Sequence, residues 1–434
     1  IGSGGSTRRD SRVLARRVFS RRLMKADTMS SKTLRDAVLV AVVAVLTVQG
    51  LRRFCGERYI VPSDSMQPLL YGDPQRGDVV FVDRMSSAGS RRRGDLVVVD
   101  SPKLEGHQLV KRIAARGDDA LCWVDIVQGD IWLGENAQQM RREVKDPRAA
   151  MSRSVTWARA GDAGPSETLL DLSAAASARG GRWKLTPMAA NVAAARAVFA
   201  PERRAARHSA DLGQVLPGGT VGTARFVDAS FVDLAGVRRR GGEDVTVADC
   251  GMEMRFDTAP AVILLTIDST DFATTFVWSA TQNELQVWVD GRRVVRRADV
   301  LEASWAGYVA FGRLDGRDFL LLDDDHQYAL ETPKQLRSPR PRTWLHVGVV
   351  GAEAAYIESM RVFRDLYAYR DPVTSVGEAK PWPKFVRPGH WFLLGDNAFD
   401  SRDSRHFGDV AAETFLGVPA AVIAPWSRAR AIKR

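Results

Sequence analysis

The 434-residue sequence is poor in the residues that build metal and redox sites: it holds three cysteines (Cys55, Cys122 and Cys250) and six histidines. No CxxC or HExxH spacing occurs, which argues against zinc and thiol redox chemistry. An odd cysteine count excludes a fully paired disulfide framework. Long apolar runs are scarce as well. The one candidate, AVLVAVVAVLTVQGL over 37–51, would form a helix of about 22 Å, short of a hydrocarbon core of roughly 30 Å. Aromatics are thin among the N-terminal arginines, where Phe19 stands alone, so stacking on bases is poorly supported.

Charge is what the chain has in plenty. The net charge is +10 and the pI near 9.8, values that suit either nucleic acid or an anionic membrane surface. Its distribution favours the membrane. Arg8, Arg9, Arg12, Arg16, Arg17, Arg21, Arg22, Lys25, Lys32 and Arg35 all precede the apolar run, and the remainder is only mildly basic. A basic tail ahead of an apolar segment reads as a cytoplasmic flank. The expectation is therefore a basic tail over 1–34 and a membrane anchor over 35–53, with everything after Arg53 outside. Snorkelling by Arg35, Arg52 and Arg53 would make up the short span. A buried core segment and a cleaved export signal are the alternatives, although no A-x-A-like site follows. The chain opens on Ile1 rather than Met, which predicts further residues upstream.

Beyond the anchor the pattern is β. RGDVVFVDR over 76–84 and RGDLVVVDS over 93–101 are nearly one sentence written twice, each a Gly-Asp turn followed by four β-prone residues. They predict two strands of one sheet, buried on both faces. Further strands are expected over 108–114 and around 125–133. From about 146 to 207 the sequence turns rich in Ala, Arg, Gly and Ser, with weak helical periodicity around 189–199. Strand patterns separated by turns then return from about 222 to 369, as in an antiparallel sandwich of the jelly-roll kind. The fold class expected is mainly β, with a catalytic part over 54–145 and 371–434 that is split by an inserted β-rich domain over 146–370.

Three segments carry chemistry: IVPSDSMQPLLYGD over 60–73, QLVKRIAARGDD over 108–119, and FLLGDNAFDSRDSRHFGD over 392–409. Singly each is an ordinary loop or strand. In this order they resemble the bacterial type I signal peptidase (leader peptidase) family, whose motifs are Ser-Met-x-Pro, Lys-Arg before Gly-Asp, and GDN before S-x-D-S-R. The resemblance covers about 54–135 and 380–425 and implies a Ser–Lys dyad serine protease.

By that resemblance Ser65 is the nucleophile and Lys111 its general base. Ser63 and the backbone N–H of Ser65 form the oxyanion hole. Ser401 hydrogen-bonds Lys111, while Asp403 with Arg405 and Asp396 with Arg112 are supporting ion pairs. The chemistry makes its own demand: a lysine is a base only when neutral, and burial supplies the needed drop in pKa. Strand alternation puts Leu109, Lys111 and Ile113 on one face and Arg112 on the other. Two departures stand out. Asp64 replaces a small residue between the serines and is expected to face solvent, and Ala398-Phe399-Asp400 replaces a more polar stretch. No metal or organic cofactor is implied. The implied partners are signal-peptide-bearing preproteins and membrane lipid rather than nucleic acid, with the enzyme in the plasma membrane and its catalytic part on the extracytoplasmic side. The rivals are another Ser–Lys peptidase of the self-cleaving repressor type, for which 1–51 offers no DNA-binding helices, and a non-enzymatic surface protein.

Overall fold

The computed structural model describes residues 35–36, 38–40, 42–43, 56–102, 107–153, 155–159, 170–171, 183–208, 220–223, 231–232, 238–239, 247–323, 326–331, 343–368, 370 and 381–432. All of the basic tail and much of the anchor lie outside these residues. Where the anchor is described, Arg35, Asp36, Val38–Val40, Val42 and Val43 are helical. No helix among the described residues is long and apolar enough to cross a membrane.

The first sheet gathers the two ends of the chain. Its order is β1 (Gly56–Ile60), β2 (Val79–Asp83), Phe415–Ala424, β3 (Leu96–Asp100), β4 (Gln108–Arg116), His390–Leu394 and Val410–Ala411. The twin sequences thus become β2 and β3 of one sheet, but Phe415–Ala424 lies between them and pairs with both. They also differ in burial. In β3, Leu96–Val99 are buried throughout. In β2, Val80 and Val82 are buried while Phe81 is 37% exposed. The expectation that both strands are buried on two faces fails for β2, because β2 lies next to the sheet's edge strand and one of its faces meets water.

One expected strand around 125–133 is in fact two, β5 (Trp123–Val127) and β6 (Asp130–Gly134), paired antiparallel. The turn between them places Gln128 at φ 52° and Gly129 at φ 96°. Two successive positive φ values suit the tight hairpin turn, and a glutamine there gives little warning of it. With β7 (Met140–Arg142) and Lys384–Phe385 these strands form a four-stranded sheet.

Between Arg142 and Lys384 most of the described chain builds two seven-stranded sheets. One contains Cys250–Thr258, Tyr308–Leu314, Arg317–Leu322 and Ala355–Arg364; the other contains Val262–Ser269, Ala273–Ser279, Glu284–Val289 and Thr343–Val350. Met252, Met254, Phe256, Phe311 and Val362 from the first pack with Ile263, Leu265, Phe276, Trp278 and Val347 from the second in one core. Alternate residues of each strand face inward, so this is a face-to-face sandwich. The periodicity near 189–199 becomes the helix Val192–Val198, whose N-cap Asn191 accepts a bond from Ala194 N at 2.9 Å. The protein is therefore mainly β, with a β-rich region inserted between two stretches that share a sheet.

Candidate active site

The turn bearing Ser65 is built by short-range constraints. Residues Asp64–Met66 form one 3-10 turn, with Met66 and Leu70 buried against Val80, Leu96 and Val98. Asp64 Oδ1 accepts from Gln67 Nε2 at 2.6 Å and from Gly72 N at 3.1 Å. Asp64 is thus turned into its own loop, where two donors claim it, and not toward solvent as its position in the sequence suggested. A side chain at Gly72 would meet the Ser63 carbonyl carbon at 1.9 Å, so only glycine lets the loop close there. Fully buried Asp78 completes the support, accepting from Tyr71 N at 3.0 Å and from Arg428 Nε at 2.7 Å.

Lys111 reaches this turn from β4. Leu109 and Ile113 share a cluster with Val97 and Val99, whereas Val110 packs with Leu96 and Val98 on the other side. The alternation holds, and Lys111 has the parity of Leu109 and Ile113. Its side chain is 3% exposed, and Nζ donates to Ser65 Oγ at 2.7 Å. Burial lowers its pKa to about 8, against Asp403 and Asp396, which favour the ammonium. When the amine is neutral the same contact reverses, with the Ser65 hydroxyl donating to Nζ. Ser63 Oγ donates to Ser65 Oγ at 3.3 Å, which sets a second hydroxyl beside the first.

The third segment closes over this pair through two charge clamps. Arg112 binds Asp396 with both guanidinium edges, Nε to Oδ1 at 2.7 Å and Nη2 to Oδ2 at 2.6 Å, and its Nη1 donates to Gly94 O at 2.6 Å. Arg405 binds Asp403 through Nε at 2.8 Å and Nη2 at 2.9 Å, both side chains being almost wholly buried. Asp403 also caps the short helix Ser404–Phe407 and accepts from Gly395 N at 3.0 Å. Such bidentate pairs fix geometry as well as charge.

Ser401 departs from its implied role. It is buried, but its Oγ has no hydrogen-bond partner, so the expected bond to Lys111 is not made. The hydroxyl instead packs over Gly395, where a Cβ would stand 2.1 Å from it and 2.5 Å from Ser65 O. Close backbone packing, not hydrogen bonding, decides its place.

Two residues of the site escaped the sequence reading. Asn397 N donates to Ser65 O at 3.1 Å and its Nδ2 donates to Asp64 O at 3.2 Å, which pins the serine turn to the third segment. Gly395 allows the approach just described. Both lie in the GDN run, and that run was the available signal. Asp400 is exposed, and its pKa is raised by desolvation and by Asp64, with Lys111 opposing.

Comparison with known proteins agrees with the motif order. The family model described as signal peptidase, peptidase S26, matches residues 34–158 and 351–424. Signal peptidase I of Aquifex aeolicus (strain VF5) is 32% identical over 89 residues, which is 20% of this chain and 33% of that protein. Signal peptidase I of Mycobacterium tuberculosis (strain ATCC 25618 / H37Rv) is 38% identical over 72 residues, 16% of this chain and 24% of that protein. The chain thus spans a third or less of these relatives' length. Among solved structures, chicken galectin 2 is 10% identical and covers 26% of this chain and 88% of its own, at a TM-score of 0.21; likenesses this slight say nothing of ligand or activity. The two matched segments, in which the chain is similar to peptidase S26, flank an inserted region.

Proposed function

We propose that this chain is a membrane-bound serine endopeptidase that removes signal peptides from exported preproteins. The observation that carries the reading is the 2.7 Å contact between Lys111 Nζ and Ser65 Oγ, made by an amine that burial brings to about 8. A hydroxyl is a weak nucleophile until a neighbouring base takes its proton. Lys111 is that base. Ser65 attacks the scissile carbonyl, and the resulting alkoxide is held by Ser63 Oγ and Ser65 N–H, donors of the kind worth about 3 kcal/mol each. The protonated lysine then delivers its proton to the leaving amine. Water activated by the same lysine hydrolyses the acyl-enzyme on Ser65.

The Arg112–Asp396 and Arg405–Asp403 clamps hold the third segment against the serine turn and so fix the distance across which the proton moves. In this reading 54–145 and 371–434 form the catalytic part, and 146–370 is an accessory insert. Residues 35–53 anchor the chain in the plasma membrane, with the basic tail inside and the catalytic part outside, near the bilayer that delivers preproteins. The family match over the two stretches that hold the motifs, with partial identity to two bacterial signal peptidases, supports the substrate class.

The test is preprotein cleavage in detergent by the full chain, its Ser65→Ala variant and its Lys111→Ala variant. Both variants should lose cleavage while keeping the wild-type circular dichroism spectrum. Equal cleavage by wild type and Ser65→Ala would end the proposal.

A further inference from the structure

A group of carboxylates that the dyad does not use lies where the insert meets the first part of the chain. Asp130 on β6, Asp249 and Asp315 each bring a carboxylate oxygen within 4.8 Å of the others. Asp249 Oδ2 accepts from Asp315 N at 2.7 Å. Asp365 joins them, its N donating to Asp249 O at 2.9 Å. Two cations face the group. Lys145 donates from Nζ to Asp315 Oδ1 at 2.7 Å and to Asp365, and from its backbone N to Asp315 Oδ2 at 2.8 Å. Arg142 on β7 approaches Asp130 at 3.1 Å. Arg313 also faces Asp249, but its guanidinium is committed to Asp318 at 2.7 Å, and the phenol of Tyr367 faces Asp130.

Asp130, Asp249 and Asp315, with Asp365 beside them, thus face Lys145 and Arg142, while the nearby Arg313 and Arg112 are paired with Asp318 and Asp396. The Asp315 and Asp365 side chains are 1% and 4% exposed, so water screens them little. Like charges as close as those of Asp130, Asp249 and Asp315 resist ionising together. The group straddles two parts of the fold, with Asp130, Arg142 and Lys145 before the insert and Asp249, Asp315 and Asp365 on the sandwich side. A cavity of about 220 Å³ adjoins it, lined by Lys145, Asp365 and Tyr367 together with Arg112, Gly395 and Asp396.

We propose that Asp130, Asp249 and Asp315 share a proton that holds the sandwich onto β6 and β7, and that its loss as pH rises loosens this junction. With the proton present, one carboxylic O–H donates to a neighbouring carboxylate and closes the contact. Without it the carboxylates repel one another. Burial and the neighbouring carboxylates raise Asp249 to about 6 and shift Asp130 and Asp315 upward as well. The closed form thus binds the proton more tightly than an opened, solvated form. Closure is strongest below the ordinary carboxylate range and weakens as pH climbs through about 6.

The test is amide hydrogen exchange on the full chain between pH 4 and 8, corrected for intrinsic exchange rates and read at peptides covering 130–145 and 365–368. It requires no cleavage activity, so its failure is separable from failure of the protease reading. Protection should fall by up to about 100-fold between pH 4 and 7, tenfold for each unit over which only the closed form keeps its proton. In Asp249→Asn the amide keeps the donor and acceptor at every pH, so protection there should be high and level. Asp130→Asn should flatten the profile too, and decides the matter if Asp249→Asn does not fold. A level wild-type profile, or folded variants that retain the wild-type slope, would overturn the proposal.

Discussion

In the proposed mechanism Lys111 is the residue on which chemistry and stability pull in opposite directions. Its folded pKa, about 8, lies below the ordinary 10.5. The folded chain therefore gives up a proton that the unfolded chain keeps, at a cost that accrues as pH falls from 10.5 to about 8 and is constant below that. Cleavage should rise with pH through an apparent pKa near 8, measured as kcat/KM on a signal-peptide substrate, because only the neutral amine accepts the serine proton. Lys111→Met, which keeps an unbranched side chain one atom shorter and removes the charge, should abolish cleavage yet stabilise the fold at pH 7. Two and a half pKa units correspond to about 3 kcal/mol, less the lost bond to Ser65. Urea denaturation would show it, and a variant less stable than wild type would mean that the buried ammonium is better solvated than its burial implies. At the neighbouring position, Gly395→Ala should cut activity far more than stability, since its methyl would displace Ser401 and the Ser65 carbonyl; paired kinetic and thermal measurements would tell the two effects apart.

Among the elements, the short helix Ser404–Phe407 depends most visibly on one side chain. Asp403 caps it, neutralises Arg405 and takes the Gly395 N–H. Asp403→Ala should cost about 3–5 kcal/mol, mostly from leaving a buried guanidinium unpaired, with about 1 kcal/mol from the lost cap. Chemical denaturation would measure it, and a loss under 1 kcal/mol would show that Arg405 finds water. The hairpin of β5 and β6 and the placing of Phe415–Ala424 between the twin strands were not legible in the sequence. Strand periodicity reports which residues face a core, but not which strand lies alongside.

For the whole molecule the question is how far the inserted sandwich governs the dyad. The hydrogen bonds described for Ser65 and Lys111 come from Ser63, Asn397 and each other, all outside 146–370. Phe276 is fully buried in the sandwich core. Phe276→Ala should destabilise the insert by about 3–5 kcal/mol while preprotein cleavage at low temperature stays near wild type. A parallel loss of cleavage would show that the insert holds the dyad in place.

The sequence by itself determined the mainly β character, the three ordered motifs and the parity that sends Lys111 and Arg112 to opposite faces, because alternation along a strand is a local property. Segments hundreds of residues apart could meet in many ways, and only the tertiary structure decided how. It set Lys111 against Ser65, turned Asp64 into its own loop, gave Asn397 its hold on the serine turn and left the Ser401 hydroxyl without a hydrogen bond. It also crowded buried carboxylates at the insert's junction. Desolvation and close backbone approach depend on what the folded chain brings together, which no local pattern records.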